Sequence, residues 1–158
     1  MDSKESIYQK YLEILKTKLV AKYDELGLRA LGKYQDDLEA IVQPAKMIML
    51  GSFHSEFMEN GRSSGGFPPI SAIENWIENK DSLPSIFREK KKQFAFLIAR
   101  KIAKDGIKVP NQYNKGKVVS SVVDDFLAND IDDMINELGE VFLGRILIDV
   151  LEIFKQVA

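Results

Sequence analysis

Leu38-Glu39-Ala40-Ile41-Val42 and Lys46-Met47-Ile48-Met49-Leu50, with Gln43-Pro44-Ala45 between them, separate an α+β chain from an all-helical one. Each run has the length of a strand, and proline fits the turn that joins them. The spacing predicts a β-hairpin. A lone hairpin is marginal in water, so this one has to pack on helices or join another sheet.

The flanks are helical by periodicity. Tyr8, Tyr11, Leu12, Leu15, Leu19, Tyr23 and Leu26 recur at spacings of three and four, which predicts an amphipathic helix over residues 3–28. Ser3 stands at its start and Gly27 near its stop. After the hairpin, Phe53 and Phe57 favour a short helix capped by Ser52 and ended at Gly61, with a continued strand as the alternative. Residues 61–69 read as a loop that feeds a helix carrying Ile70, Ile73, Trp76 and Ile77 and ending near Lys80. One further helix is expected from about Ser85 to Asp105, stopped at Gly106. A polar loop covers 107–117, and residues 118–158 read as two or three helices. Val122, Phe126, Ile131, Met134, Ile135 and Leu138 belong to the first part of that region. Val141, Phe142, Ile146, Leu147, Val150, Leu151 and Phe154 belong to the last. The fold expected is α+β: a mostly helical single domain spanning 1–158, with a small antiparallel hairpin packed against helices. Its parts are the N-terminal helix 3–28, a hairpin and motif core 37–107, and an acidic helical region 118–158.

Composition narrows the chemistry. With 45% hydrophobic and 29% charged residues among 158, the chain can fold around a core and is neither disordered nor membrane-embedded. No apolar run approaches the ~20 residues of a membrane span, and the polar, acidic N-terminus lacks the apolar stretch of a signal peptide. Cysteine is absent, which excludes disulfides, thiol catalysis and thiolate metal sites. His54 is the one histidine, so histidine-based zinc chemistry and a Ser-His triad find little support. The net charge of −2 is a cancelled sum. Residues 1–85 carry net −3, residues 86–117 carry +8, and residues 118–158 carry −7. Asymmetry of this kind speaks of partners.

The candidate catalytic features are weak. Gly61–Gly66 lacks the GKS or GKT ending of a phosphate loop. Asp124-Asp125 and Asp132-Asp133 are adjacent pairs, whose side chains diverge by about 100° on a helix, so a solvated face is expected rather than a magnesium site. His54, between Phe53 and Ser55 and near Glu56 and Glu59, has no nucleophile or orienting partner apparent. No enzyme activity, cofactor or metal is expected. The basic run Arg88, Lys90, Lys91, Lys92, Arg100, Lys101 and Lys104 points to something anionic. Protein is favoured over nucleic acid, because no aromatic stacking pattern accompanies the lysines. Trp76 reads as a core residue by its register, with an interface anchor as the alternative.

One pattern goes further. Phe57-Met58-Glu59-Asn60-Gly61-Arg62, then Gly65-Gly66-Phe67-Pro68-Pro69-Ile70, then Ala72-Ile73-Glu74-Asn75-Trp76-Ile77-Glu78-Asn79-Lys80, resembles a pattern in tail-completion and neck proteins of tailed bacteriophages. That pattern runs approximately E-x-G-R-x-x-G-x-x-P-P-x-x-x-I-x-x-W-I-x-x-K-G. A helix of the type A-x-x-I-A-x-x-I-x-x-x-G-I follows in those proteins, and Phe94 to Ile107 is similar to it. The resemblance covers residues 50–107, about a third of the chain. Asp81 stands where a glycine usually follows the lysine, and the last forty residues are more acidic and helical than the family's.

The resemblance implies a small α+β domain that forms a homo-oligomeric ring at the head–tail junction of the virion. It also implies contacts with neck, portal or tail proteins, and assembly in the host bacterial cytoplasm. It carries no catalytic residue. Gly61, Arg62, Gly65, Gly66, Phe67, Pro68, Pro69 and Trp76, with Arg88, Lys90, Lys91, Lys92, Arg100 and Lys101, are the assembly candidates. A minor tail protein elsewhere in the tail, or a nucleic-acid-binding module using residues 86–117, are the alternative readings, and contact with packaged DNA belongs to the same surface. No membrane partner is expected.

Overall fold

In the computed structural model, which describes residues 3–28, 34–51, 54–112 and 114–157, with only the backbone of His54 and Val157, the long N-terminal helix organises the rest. This helix, α1, spans Lys4–Glu25. The Ser3 side chain accepts from the Ser6 amide at 3.1 Å and satisfies one of the orphan N–H groups of the first turn. At the other end Gly27, at φ 63°, lets the Leu28 amide return to the Tyr23 carbonyl at 3.2 Å. One face of α1, formed by Ile7, Tyr11, Leu12 and Leu19, is buried.

The expected hairpin is present as β1 (Glu39–Gln43) and β2 (Lys46–Leu50), paired antiparallel with Ile41 opposite Ile48. It packs on α1, with Met47 and Met49 on one face of β2 meeting two adjoining apolar clusters. The short helix α2 (His54–Asn60) follows, as the Phe57 spacing favours; its expected cap Ser52 lies outside the described residues.

Two helices then form a separate apolar cluster. In α3 (Ile70–Asn79), Ile73 and Ile77 are buried against Ala95 and Ala99 of α5 (Lys91–Asp105). The alanines let the two helices approach closely. The single helix expected over 85–105 is broken: α4 covers Ser85–Glu89, and Lys90, at φ −111° and ψ 35°, turns the chain before α5 begins. The turn accompanies the stacking of Phe87 on Phe94, with ring centroids 4.3 Å apart.

The C-terminal region is two helices, α6 (Ser120–Asn129) and α7 (Ile131–Val157). Val122 and Phe126 of α6 and Met134 and Val141 of α7 close the core over α1. Tyr11 meets Phe126 edge-on at 6.3 Å. The architecture is thus α+β, mostly helical, with one two-stranded antiparallel sheet. No helix among the described residues is long and apolar enough to cross a membrane.

Candidate assembly surface

The glycine-proline stretch and the end of α5 form one hydrogen-bonded unit. Gly61, at φ 77°, ends α2, its amide bonding the Phe57 carbonyl at 2.9 Å. Arg62 then pairs with Ile107 as an isolated antiparallel bridge, with N–H to O=C distances of 2.8 and 2.7 Å in the two directions. The Gly65 amide donates to the Ala103 carbonyl at 2.8 Å. Gly106, at φ 70°, caps α5. A Cβ on Gly61 would collide with the Ile107 carbonyl, and one on Gly106 with the Arg62 carbonyl, so both positions need glycine for φ and for space. Gly65, at φ 147°, meets nothing, and Gly66 has neither a positive φ nor a close neighbour.

Glu59 has a role that local sequence pattern does not show. Its carboxylate accepts from the Val119 amide at 2.9 Å and from the Ser120 hydroxyl, placing a negative charge at the N-terminus of α6. Asn114 donates to the Met58 carbonyl at 2.8 Å and accepts from the Gly116 amide at 2.9 Å. The loop that follows α5 is thereby fastened to α2. The motif anchors three elements that are far apart in sequence.

From this frame the loop projects. The Arg62 guanidinium donates to the Gly66 carbonyl at 2.8 Å and curls the loop, while Phe67 leans on Phe96 with centroids 5.9 Å apart, both rings about half exposed. Pro68 and Pro69 lead into α3, where Pro69 fixes the first turn. Trp76 is not a core residue, contrary to its register. It is 37% exposed, as is Ile70, because α5 covers only the Ile73–Ile77 side of α3.

The basic candidates divide. Arg88 donates to the carbonyls of Lys80 at 3.0 Å and Glu78 at 3.3 Å, at the C-terminal end of α3, and lies 3.9 Å from Asp81. Lys91 pairs with Glu78, holding that carboxyl below its ordinary range and raising its own pKa. Lys101 pairs with Asp105 at 2.9 Å within α5. Lys90, Lys92, Arg100 and Lys104 are exposed and form no ion pair among the described residues.

The acidic block binds elsewhere. Glu137 accepts from Lys10 at 2.6 Å and Tyr11 at 2.9 Å, and Lys18 bridges Asp125 at 2.7 Å and Asp130. Lys10 and then Tyr11 hold the Glu137 carboxyl low, and Lys18 does the same for Asp125. Burial first, then Glu137, pushes the Tyr11 hydroxyl up to about 12. Thus Asp125, Asp130 and Glu137 pair with α1, and no ion pair joins the acids of 118–158 to the basic residues 86–117 among the described residues. Asp124, Asp132, Asp133 and Glu140 stay exposed, as a solvated face predicts. The His54 side chain lies outside what is described. No cluster of three or more metal-ligating side chains occurs among the described residues.

Beyond Val141, α7 leaves the body. Nine large apolar side chains between Phe142 and Phe154 are 40–68% exposed. The sequence pattern placed Phe142, Ile146, Leu147, Val150, Leu151 and Phe154 in the last helix, and the described residues give them no core to enter. Comparison with models of protein families, with curated proteins and with solved structures finds no match.

Proposed function

We propose that the chain is a structural virion protein of a tailed bacteriophage, a neck or tail-completion component that forms an oligomeric ring at the head–tail junction and is assembled in the host cytoplasm. The observation that carries this reading is the unity of the residues that bear the resemblance. Glu59, Gly61, Arg62 and Gly65 and the Ala103–Ile107 end of α5 form a single frame, held by hydrogen bonds that require glycine at two points. Among the described residues no cluster of metal-ligating side chains adjoins the frame. The frame presents a loop with exposed Phe67, and the helix it feeds carries exposed Trp76, which suits a contact surface.

Charge supports the ring. The α4–α5 segment exposes Lys90, Lys92, Arg100 and Lys104, and α6 and α7 expose Asp124, Asp132, Asp133 and Glu140, with no ion pair joining them inside the chain among the described residues. Two different patches that complement each other make a heterologous contact, and repeated heterologous contacts close into rings. Enzymatic function is not part of the proposal.

Mass measurement of the full chain across a salt series tests the reading. A closed oligomer at low salt that dissociates as salt screens the exposed charges is expected. A monomer under all conditions that also fails to bind portal or tail proteins contradicts it. The same unpaired cations favour a second reading, nucleic-acid binding, which a gel shift with duplex and single-stranded DNA at low salt separates from the first.

A further inference from the structure

Helix α7 changes its apolar side partway along. From Ile131 to Leu138 and Val141, with Met134 between, apolar residues recur at three and four and face α1 and α6. If that stripe continued at the same spacings, the next positions would be Arg145, Ile148 and Glu152, all exposed and only Ile148 apolar. Instead Leu143, two positions after Val141 and so about 200° around the helix, opens a new stripe. Leu147, Val150 and Phe154 follow at spacings of four, three and four. In the first half this second side carries Asp132, Asp133, Asn136 and Glu140. The distal half is therefore not a core helix that lacks its cover. Its apolar side points away from the body that the proximal half packs on.

We infer that residues 142–157 form a coiled-coil seam with the same segment of other copies of this chain. The four-three-four spacing is the a/d pattern of interlocking helices. With Leu147 and Phe154 at a, the positions beside the seam hold Ile146, Leu151 and Ile153, whereas Arg145, Asp149, Glu152 and Lys155 all fall on the outside, with Phe142 and Ile148 between them. Copies can meet along this seam without burying a charge, and the two cations and two anions balance. A seam flanked by apolar residues on both sides fits a helix with two neighbours, as in a bundle of three or more. The exposed side chains on and beside the seam leave about 800 Å² of apolar surface in water, above the largest patch of an ordinary monomer and the order that one partner contributes to a stable interface. A helix this rich in β-branched residues and without buried contacts is also marginal alone. The parallel orientation rests on the ring reading, since cyclic symmetry points every arm the same way. The self-association does not.

The chain has no cysteine, so single-cysteine variants report the geometry directly. The full-length Leu147→Cys variant is expected to cross-link to itself on mild oxidation, because equivalent a positions face each other in a parallel seam. The Glu152→Cys variant, on the outer side, is expected to stay uncross-linked. Both sites are exposed, so neither change removes packing from the monomer. Leu147→Asp is expected to weaken self-association at least tenfold with unchanged circular dichroism in the dilute monomer. A seam that cross-links through mixed Leu143→Cys and Phe154→Cys chains, but not through Leu147→Cys alone, retains the self-pairing as antiparallel and counts against the ring. Equal cross-linking at positions 147 and 152, or a Leu147→Asp chain that associates like the parent, overturns the inference.

Discussion

The two halves of α7 each carry an apolar side, and the two sides have opposite fates. Val141 in the first half is 7% exposed, and Phe154 in the second is 68% exposed. The difference is one of angle. The first half turns its apolar side to α1, whose Ile7 and Tyr11 receive it, and its polar side to water. The second half reverses the two. Hydrophobic periodicity reports that a face will be buried, but it does not say by which molecule.

Substituting a charge on each side gives the largest contrast. Val141→Asp would bury an unpaired carboxylate and is expected to cost about 3–5 kcal/mol of monomer stability. Leu147→Asp is expected to change it by no more than about 0.5 kcal/mol, as a surface position does. Urea unfolding at concentrations where the chain is monomeric compares them, and equal costs would break the comparison.

The motif loop repeats the contrast on a smaller scale. Gly61→Ala forces a Cβ against the Ile107 carbonyl in a left-handed conformation and is expected to cost about 1–3 kcal/mol. Gly66→Ala enters open space and is expected to leave thermal unfolding near that of the parent.

Tyr11 sharpens the account of the proximal half. Tyr11→Phe removes the hydrogen bond to Glu137 and is expected to cost about 1 kcal/mol. The parent tyrosine holds its proton more tightly when folded, at about 12 against the ordinary 10. Its contribution is therefore complete below pH 10 and is lost as pH rises from 10 to 12, because the unfolded chain releases that proton first. Denaturation midpoints at pH 9 and pH 11.5 should diverge less in the phenylalanine variant than in the parent. The smallest effect is expected from deletion of residues 143–158. Monomer stability should stay within about 0.5 kcal/mol, while self-association through the arm disappears.

Much of the fold was legible because its signals are local. Ser3 through its side-chain cap, and Gly27, Pro44, Gly61 and Gly106 through their own backbone chemistry, mark boundaries, and the structure places an end or a turn at each. The break at Lys90 was hidden because no glycine or proline marks it. Trp76 was misread because periodicity gives the side of a helix but not the extent of its neighbour. Glu59 and Asn114 escaped because their partners lie 60 and 56 residues away. The charge blocks were visible, but not that α1 takes up Asp125, Asp130 and Glu137 while Lys92, Arg100 and Lys104 of α5 form no ion pair among the described residues.

The central claim is a place in a particle. An electron-microscopy map of a tailed phage particle that carries this chain tests it most directly. The account predicts a ring of this subunit between head and tail, with the motif loops and charged faces at its subunit contacts. A particle whose head–tail junction contains no copy of the chain would contradict it.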